Sequence, residues 1–475
     1  MIMEKFQWAK MIDDARIVLN ERQKLIGLML LVFFFACSIY HGKNFFIVLN
    51  LCISIFYLVT ILYKFFLVLI GFTQKNDIVI THSEIKNIPD ESLPVYTILL
   101  PVFKETKIVP QLITAISQMD YPHDKLDVKL LVEESDSTMQ EALKKIKLPS
   151  FFDVIIVPDS LPRTKPKACN VGLSKAKGEY LVIYDAEDIP DADQLKKSII
   201  AFRKLNDESI VCLQAKLNYY NPRQNLLTRW FTSEYSMWFD LYLPGLDGLN
   251  APIPLGGTSN HFKTSALKTI GGWDPYNVAE DCDLGIRLFR EGYRTRVLDS
   301  TTWEEANSKL KNWLRQRSRW VKGYIQTWCV HMRRPGYLLK RMGLINFLSF
   351  QLTVAGLFIT LLFNPVYWII TGIWFITAEG KFMSGFLTPT ADLITWVLLI
   401  SNGIFVILNV MGCLRRSYRY LIPETLISPL YWVLISIGAW KGFFQLFTKP
   451  HFWEKTEHGF FISHVSVSSQ NQQLP

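Results

Sequence analysis

At 475 residues the chain exceeds one ordinary soluble domain, and with 49% apolar and 14% aromatic residues part of it belongs in lipid. The net charge of +9 suits anionic headgroups and a site that handles a diphosphate, while the lack of one basic stripe with aromatic platforms argues against nucleic acid as a partner. Seven cysteines, at positions 37, 52, 169, 212, 282, 329 and 413, form no Cys-x-x-Cys pair, so neither a zinc site nor a disulfide frame is indicated and a reducing compartment is expected.

In chain order, a charged and aromatic interfacial segment (1–24) precedes the uncharged stretch Leu25–Tyr40. Asn44–Phe72 follows with Lys64 as its one charge. The two stretches predict a pair of transmembrane helices (25–73) turning at His41-Gly42-Lys43. At ~1.5 Å per residue the second easily crosses a ~30 Å core. A cleaved signal sequence is disfavoured by the long leader and the absence of a small-residue cleavage site.

The next region, 74–340, is soluble in composition and alternates buried-strand runs with helical ones. Strands are predicted at Val95–Pro101, Val128–Val132, Val154–Val157 and Tyr180–Tyr184, and helices at Ile108–Met119 and Met139–Ile146. This predicts a doubly wound α/β sheet, whose ligands bind at the carboxyl ends of the strands.

Acidic and basic clusters follow those strands. Leu181–Tyr184 runs into Asp185-Ala186-Glu187-Asp188, and strand alternation puts Asp185 and Glu187 on one face. Such carboxylates suit Mg²⁺ or Mn²⁺, with Asp188 as an alternative second ligand. Leu130–Val132 ends in Glu133-Glu134, able to accept hydrogen bonds from a base or ribose, and Arg163–Asn170, with Lys167, supplies cations near the same edge. Gly256–His261 is a glycine-softened loop in which Asn260 and His261 are candidate acceptor contacts. Within Ala279-Glu280-Asp281, Asp281 is the candidate general base; capping of the helix that follows is its structural role. Gln316-Arg317-Ser318-Arg319-Trp320 offers an amide, a forked cation for phosphate and an indole on which a sugar ring stacks. The run Trp303–Asn307 and Trp313 are expected in an interfacial helix beside the site.

Apolar runs resume at Leu344–Phe363, Val366–Thr377, Leu393–Leu414 and Thr425–Phe447, giving three or four more transmembrane helices (341–449). Arg415, Arg416 and Arg419 favour three by the positive-inside rule, and a site-like tail favours four with the C-terminus inside. Four is the expectation adopted. The segment 450–475 carries Trp453, Lys455, Thr456 and His458 before a polar, disordered tail.

The ordered set Pro101-Val102-Phe103-Lys104-Glu105, Glu133-Glu134, Lys167–Asn170, Asp185-Ala186-Glu187, Ala279-Glu280-Asp281 and Gln316–Trp320 resembles the membrane-embedded family-2 glycosyltransferases, the cellulose synthases and bacterial exopolysaccharide synthases among them. The resemblance spans about Leu93 to Trp320 and the flanking helices. It implies a GT-A-like cytosolic domain, mostly parallel in its sheet, inserted between transmembrane helices of a multi-pass cell membrane protein. The implied reaction is processive and inverting: a nucleotide-sugar, UDP-glucose as first guess, extends a β-linked glycan that enters a channel between the helices.

By position, the resemblance assigns Glu105, Glu133, Glu134, Lys167 and Asp185 to the nucleotide-sugar. Asp185 with Glu187 or Asp188 goes to Mg²⁺ or Mn²⁺, Asp281 to the general base, and Gln316, Arg319, Trp320, Asn260 and His261 to acceptor and pyrophosphate. Trp453, Lys455, Thr456 and His458 look similar to a gating loop over the donor. The sequence departs from the family pattern at Glu187, at Glu133-Glu134 and at Ala279. Partners implied are the donor, the growing glycan, the bilayer and a regulatory or export subunit. A transferase making one glycolipid or polyprenyl-phosphate sugar, and a non-catalytic membrane scaffold, stay open as alternatives.

Overall fold

The computed structural model describes residues 14–74, 76–376 and 388–456. Its soluble part is built on one eight-stranded sheet: β1 (Tyr96–Val102), β2 (Leu126–Glu133), β3 (Phe152–Val157), β4 (Tyr180–Ile183), β5 (Ile189–Pro190), β6 (Ile210–Tyr219), β7 (Asn260–Lys263) and β8 (Arg294–Glu304). The order is β3-β2-β1-β4-β7-β6-β8-β5. The pairs β2–β3, β1–β2, β1–β4 and β6–β8 are parallel, while β7 runs antiparallel to both β4 and β6 and β5 antiparallel to β8. The expected mixed, mostly parallel α/β sheet is thus present.

The side-chain period of two explains the packing. Leu99 and Leu131 point into one core layer, while Ile98, Leu100, Leu130 and Val132 point into the other. Both faces are covered, so these strands read as continuous apolar runs. The chain winds from β1 to β2 and β3 on one side and then starts β4 on the other. The crevice at the carboxyl ends of β1 and β4 is therefore a topological switch point.

Five helices among the described residues are long and apolar enough to cross a membrane. Glu21–His41 and Lys43–Gln74 form the expected pair, turning at Gly42 with φ +47°. Asn20 begins the first helix with a capping box to Gln23. That helix buries no residue and exposes Phe33, Phe35 and Leu31, a surface suited to lipid. Within the leader, the Ala15 amide donates to Asp274 at 2.6 Å, which ties residues 14–20 to the soluble domain.

Among the described residues three such helices follow the domain, where four spans were expected. Val366–Thr377 is not a separate half-span, because Gly356–Ile376 continues through Pro365 as one helix. Neighbouring groups stabilise it there, the Trp440 indole donating to the Leu362 carbonyl at 3.1 Å. Thr388–Arg415 follows, its Arg416 neighbour paired with Asp240 of the domain. Pro429–Thr448 lies along Leu310–His331 in the same direction. Tyr431 meets Trp313 at 5.1 Å between ring centroids, Gly442 abuts the Ser318 carbonyl, and Lys322 donates to the Lys449 carbonyl at 3.2 Å. Both ends of that helix consequently rest on the domain.

The sequence expectation for Trp303 also needs correction. Trp303 and Glu304 close strand β8 instead of entering an interfacial helix, whereas Trp313 lies in the helix Leu310–His331.

Candidate active site

One cavity of about 440 Å³ opens at the switch point and continues between the helices. Its wall at the sheet end holds Glu105 after β1, Glu133 ending β2, Asp185 and Glu187 after β4, Glu280 and Asp281 at a helix start, and Glu304 ending β8. Parallel strands pointing the same way deliver these carboxylates together.

Beyond Ile183 the chain leaves strand geometry and turns, the Asp188 amide donating to the Asp185 carbonyl at 3.1 Å. Asp185 and Glu187 both line the cavity as a result. Asp188 is folded beneath them, accepting from the Asp185 amide at 2.7 Å and from the Thr258 hydroxyl, and it is 1% exposed. The alternative of Asp188 as a cavity-facing ligand is therefore corrected: the turn takes its carboxylate inward. Burial, then repulsion from Asp185, holds Glu187 and Asp188 well above the ordinary carboxyl range, and burial with repulsion from Asp188 and Glu187 does the same to Glu304.

Lys165 is the cation that answers this cluster. It begins the helix Lys165–Lys175, pairs with Asp185, and donates to the Gly257 carbonyl at 2.7 Å. Burial pulls its pKa down, yet Asp185 and Glu280 more than offset that and hold it above its usual value. Lys167 is placed elsewhere. Its ammonium donates to Glu133 at 2.9 Å and to the carbonyls of Ser160 and Pro158 at 3.1 and 3.2 Å, so it braces Glu133 from behind the cavity. Two residues of helical rotation separate the two roles. Burial raises the Glu133 pKa against the opposing pull of Lys167. Glu134 is exposed and accepts from the Asp159 amide at 2.9 Å, off the cavity wall.

Asp281 does not cap its helix. The helix starts at Glu280 with Ala279 before it, and the Asp281 carboxylate accepts from the Cys282 amide at 2.7 Å. Gly257 lies opposite it, where a Cβ would make a tight 3.3 Å contact with the Asp281 carboxylate. Burial raises Asp281, opposed by the Cys282 N–H, Lys165 and Arg319. Burial and then the Asp281 charge push Glu280 up to about 8. The two carboxyls therefore titrate as one coupled pair, with Asp281 drawn toward its charged form by the Cys282 N–H, Lys165 and Arg319.

Asn260 and His261 do not reach the site. They start β7, inside the sheet, where His261 contacts the Tyr96 hydroxyl at 2.7 Å and Gln194 at 3.2 Å, and Asn260 donates to the Gly256 carbonyl at 2.7 Å. Burial lowers His261 to about 3, which makes it a neutral structural residue. Gly256, Gly257 and Thr258 of the same loop do line the cavity.

Gln316, Arg319 and Trp320 lie on the wall above the carboxylates. Gln316 accepts from Asn307 at 3.0 Å, and Arg319 donates to the Val278 carbonyl at 3.2 Å. Trp320 is held nearly parallel to Tyr235, 27° apart at 6.4 Å, and lies 4.8 Å from the Arg317 guanidinium. Arg317 is ion-paired to Glu234 and donates to the Tyr431 hydroxyl at 2.7 Å, a buried set that fixes the indole. The tail reaches the same wall. Lys455 stands 3.3 Å from Glu105, Trp453 receives Arg319 over its ring at 4.3 Å, and Thr456 is buried. His458 lies outside the described residues.

Among the described residues no group of three or more His, Cys, Asp or Glu side chains is arranged to enclose a metal. Asp185 and Glu187, two residues apart after β4, face the cavity as oxygen donors with Glu304 nearby. That suits Mg²⁺ or Mn²⁺, which take one or two carboxylates and complete their shell with diphosphate oxygens and water.

Sequence comparison finds relatives of this arrangement. Residues 180–408 match glycosyl transferase family group 2. The protein named Probable glycosyltransferase YdaM, from Bacillus subtilis, is 28% identical over 257 residues, 50% of this chain and 58% of that protein. Glucomannan 4-beta-mannosyltransferase 1 from Oryza sativa is 26% identical over 241 residues, 49% of this chain and 46% of that protein. The match thus spans about half the length of these curated relatives. Among solved structures, the mannosyltransferase PcManGT from Pyrobaculum calidifontis, in complex with GDP-Man and Mn²⁺, superposes with a TM-score of 0.46 at 15% identity, covering 84% of this chain and 99% of that one. Over residues 180–408, just under half of its length, the chain thus carries a match to the family-2 glycosyltransferases.

Proposed function

We propose that the chain is a processive, inverting glycosyltransferase that extends a β-linked glycan from a nucleotide-sugar, the product leaving between the helices. The observation that carries this reading is the continuity of one cavity from Asp185, Glu187 and Asp281, past Trp320, to Tyr57, Asn364 and Asn402 on the apolar helices. The amides and hydroxyls along that extension suit the hydroxyls of a sugar chain.

In the proposed reaction the terminal sugar hydroxyl, held on the Trp320 face, gives its proton to the Asp281 carboxylate as its oxygen bonds the anomeric carbon. The bond from that carbon to the diphosphate breaks on the opposite face, and its electron pair leaves with the nucleoside diphosphate. Lys165 and Arg319 face the departing charge. Glu133, braced by Lys167, and Glu105, paired to Lys455, position the nucleotide. Mg²⁺ or Mn²⁺ bound by Asp185 and Glu187 supplies further neutralisation of the diphosphate. The rice relative's name supports a hexose donor, so UDP-glucose and GDP-mannose are the first to test.

The helix Pro429–Thr448, lying on the domain, supports an arrangement in which Glu21–His41 with Lys43–Gln74, and Gly356–Ile376 with Thr388–Arg415, cross as two hairpins. Residues 14–20 and 449–456 then stay with the catalytic domain. Arg415 and Arg416 at the domain end of their helix favour the cytoplasmic face of the cell membrane for that side.

The test is turnover of labelled UDP- and GDP-sugars by purified protein in lipid discs. One donor is expected to react, activity to stop in EDTA and return with Mg²⁺ or Mn²⁺, and Asp185→Ala to stay inactive at any metal concentration. Full activity in chelator overturns the metal, and no turnover of any donor overturns the transferase.

A further inference from the structure

We infer that Lys64 builds an oxyanion site inside the helical half of the cavity, recognising a carboxylate or phosphate substituent on the acceptor glycan. The inference rests on the polymer reading above and adds the chemical class of the acceptor. Lys64 is the one charge between Asn44 and Phe72. It faces the cavity, and among the described residues it has no ion pair or hydrogen-bond partner. An ammonium enclosed by aromatic rings on an apolar helix is costly unless the cavity brings it an anion or water. Glu234, also on the wall, attracts Lys64 across the cavity but makes its hydrogen bonds and its ion pair with Arg317 and Tyr431.

The surroundings are built with care. The Lys64 ammonium lies 4.4 Å from the centroid of Phe405, 5.4 Å from Tyr242 and 5.7 Å from Trp238, a cage that holds a cation in place without neutralising it. Trp238 and Tyr242 come from a five-residue π-helical turn, Trp238–Tyr242, a distortion found mostly at functional sites. Close helix contact makes the cage possible: a Cβ at Gly245 would overlap the Leu67 carbonyl, and one at Gly71 the Leu241 carbonyl. The nearby wall is polar as well as aromatic, with the Tyr57 hydroxyl donating to Asn364 at 3.1 Å and the Tyr242 hydroxyl to Thr353 at 3.2 Å. Hydroxyl and amide groups suit sugar hydroxyls and would be wasted on an acyl chain, which favours a charged glycan over a lipid phosphate.

The test measures acceptor KM for full-length protein in lipid discs with oligosaccharides of one length: neutral, glucuronate-bearing and phosphorylated. A parallel arm supplies polyprenyl phosphate in vesicles as the acceptor. Wild type is expected to favour an acidic oligosaccharide by about tenfold, Lys64→Arg to keep the preference, and Lys64→Met to erase it. Equal KM for neutral and acidic acceptors in wild type overturns the inference even if the variants misfold. Transfer to the lipid phosphate alone overturns it too. Transfer to no sugar acceptor of any kind sinks the polymer reading with it, whereas equal KM leaves that reading standing.

Discussion

At the sheet end, the cavity wall sets Glu105, Glu133, Asp185, Glu187, Glu280, Asp281 and Glu304 against Lys165, Arg319 and Lys455; between the helices it offers Tyr57, Thr60, Asn364, Asn402, Asn409 and the lone charge of Lys64. Like charges crowded in one place raise proton affinities and prepare a site for a cation and a diphosphate. Amides, hydroxyls and rings spread along helices instead make weak, repeated contacts that a sugar chain can exchange one for another. Trp320 and the Arg317–Glu234–Tyr431 set mark the border between the two regimes.

The largest break in this comparison comes from the charged end. Asp281→Asn keeps the shape and removes the proton acceptor, so kcat is expected to fall by about 10²–10⁴. Near-normal turnover of the purified variant would remove Asp281 from the mechanism. At the border, Arg317→Met leaves the half-buried Glu234 without its cation and its paired hydrogen bonds, a loss of about 1–3 kcal/mol. Chemical denaturation should show that loss, and an unchanged midpoint would reduce the pair to a surface contact. Trp320→Ala should shorten the polymer more than it slows the release of nucleoside diphosphate from the donor. A parallel loss of both would place Trp320 with the donor instead.

A smaller effect sharpens the account of the acidic cluster. Glu280 rises from 4.5 to about 8 on folding, so between those values the folded chain holds a proton that the unfolded chain has released. Stability from this group therefore falls as pH climbs from about 4.5 to 8, and the raised Glu187, Asp188 and Glu304 act in the same sense. A divalent cation competes with those protons and gains hold as they leave. Mn²⁺ or Mg²⁺ should accordingly raise Tm more at pH 8 than at pH 5; the same increment at both would separate the cation from the cluster.

Much of the charged end was legible in the sequence, because a strand followed by acids is a local pattern. Tyr180–Ile183 before Asp185 and Leu126–Glu133 show it. Glu304, at the end of β8, follows the same rule and was open to discovery by it. What local pattern misses is helical phase and tertiary return. Lys165 rather than Lys167 meets Asp185 because two residues of rotation turn one toward the crevice and the other toward Glu133. Asn260 and His261 look like loop residues beside two glycines, yet they pair as strand β7 between β4 and β6. The border was hidden for a different reason: Arg317 meets Glu234 and Tyr431 across 83 and 114 residues. Composition flagged Thr425–Phe447 as a span, and contacts with Leu310–His331 bring the helix Pro429–Thr448 against the domain as well.

The central claim, that one cavity couples bond formation to passage between the helices, is tested most directly by the size and location of the product. Protein reconstituted in sealed vesicles with the catalytic domain outward is supplied with its labelled donor, and the product is sized before and after glycosidase is added outside. The account predicts a long chain protected within the vesicle until detergent opens it. A product bearing one sugar and extracted into organic solvent would contradict it.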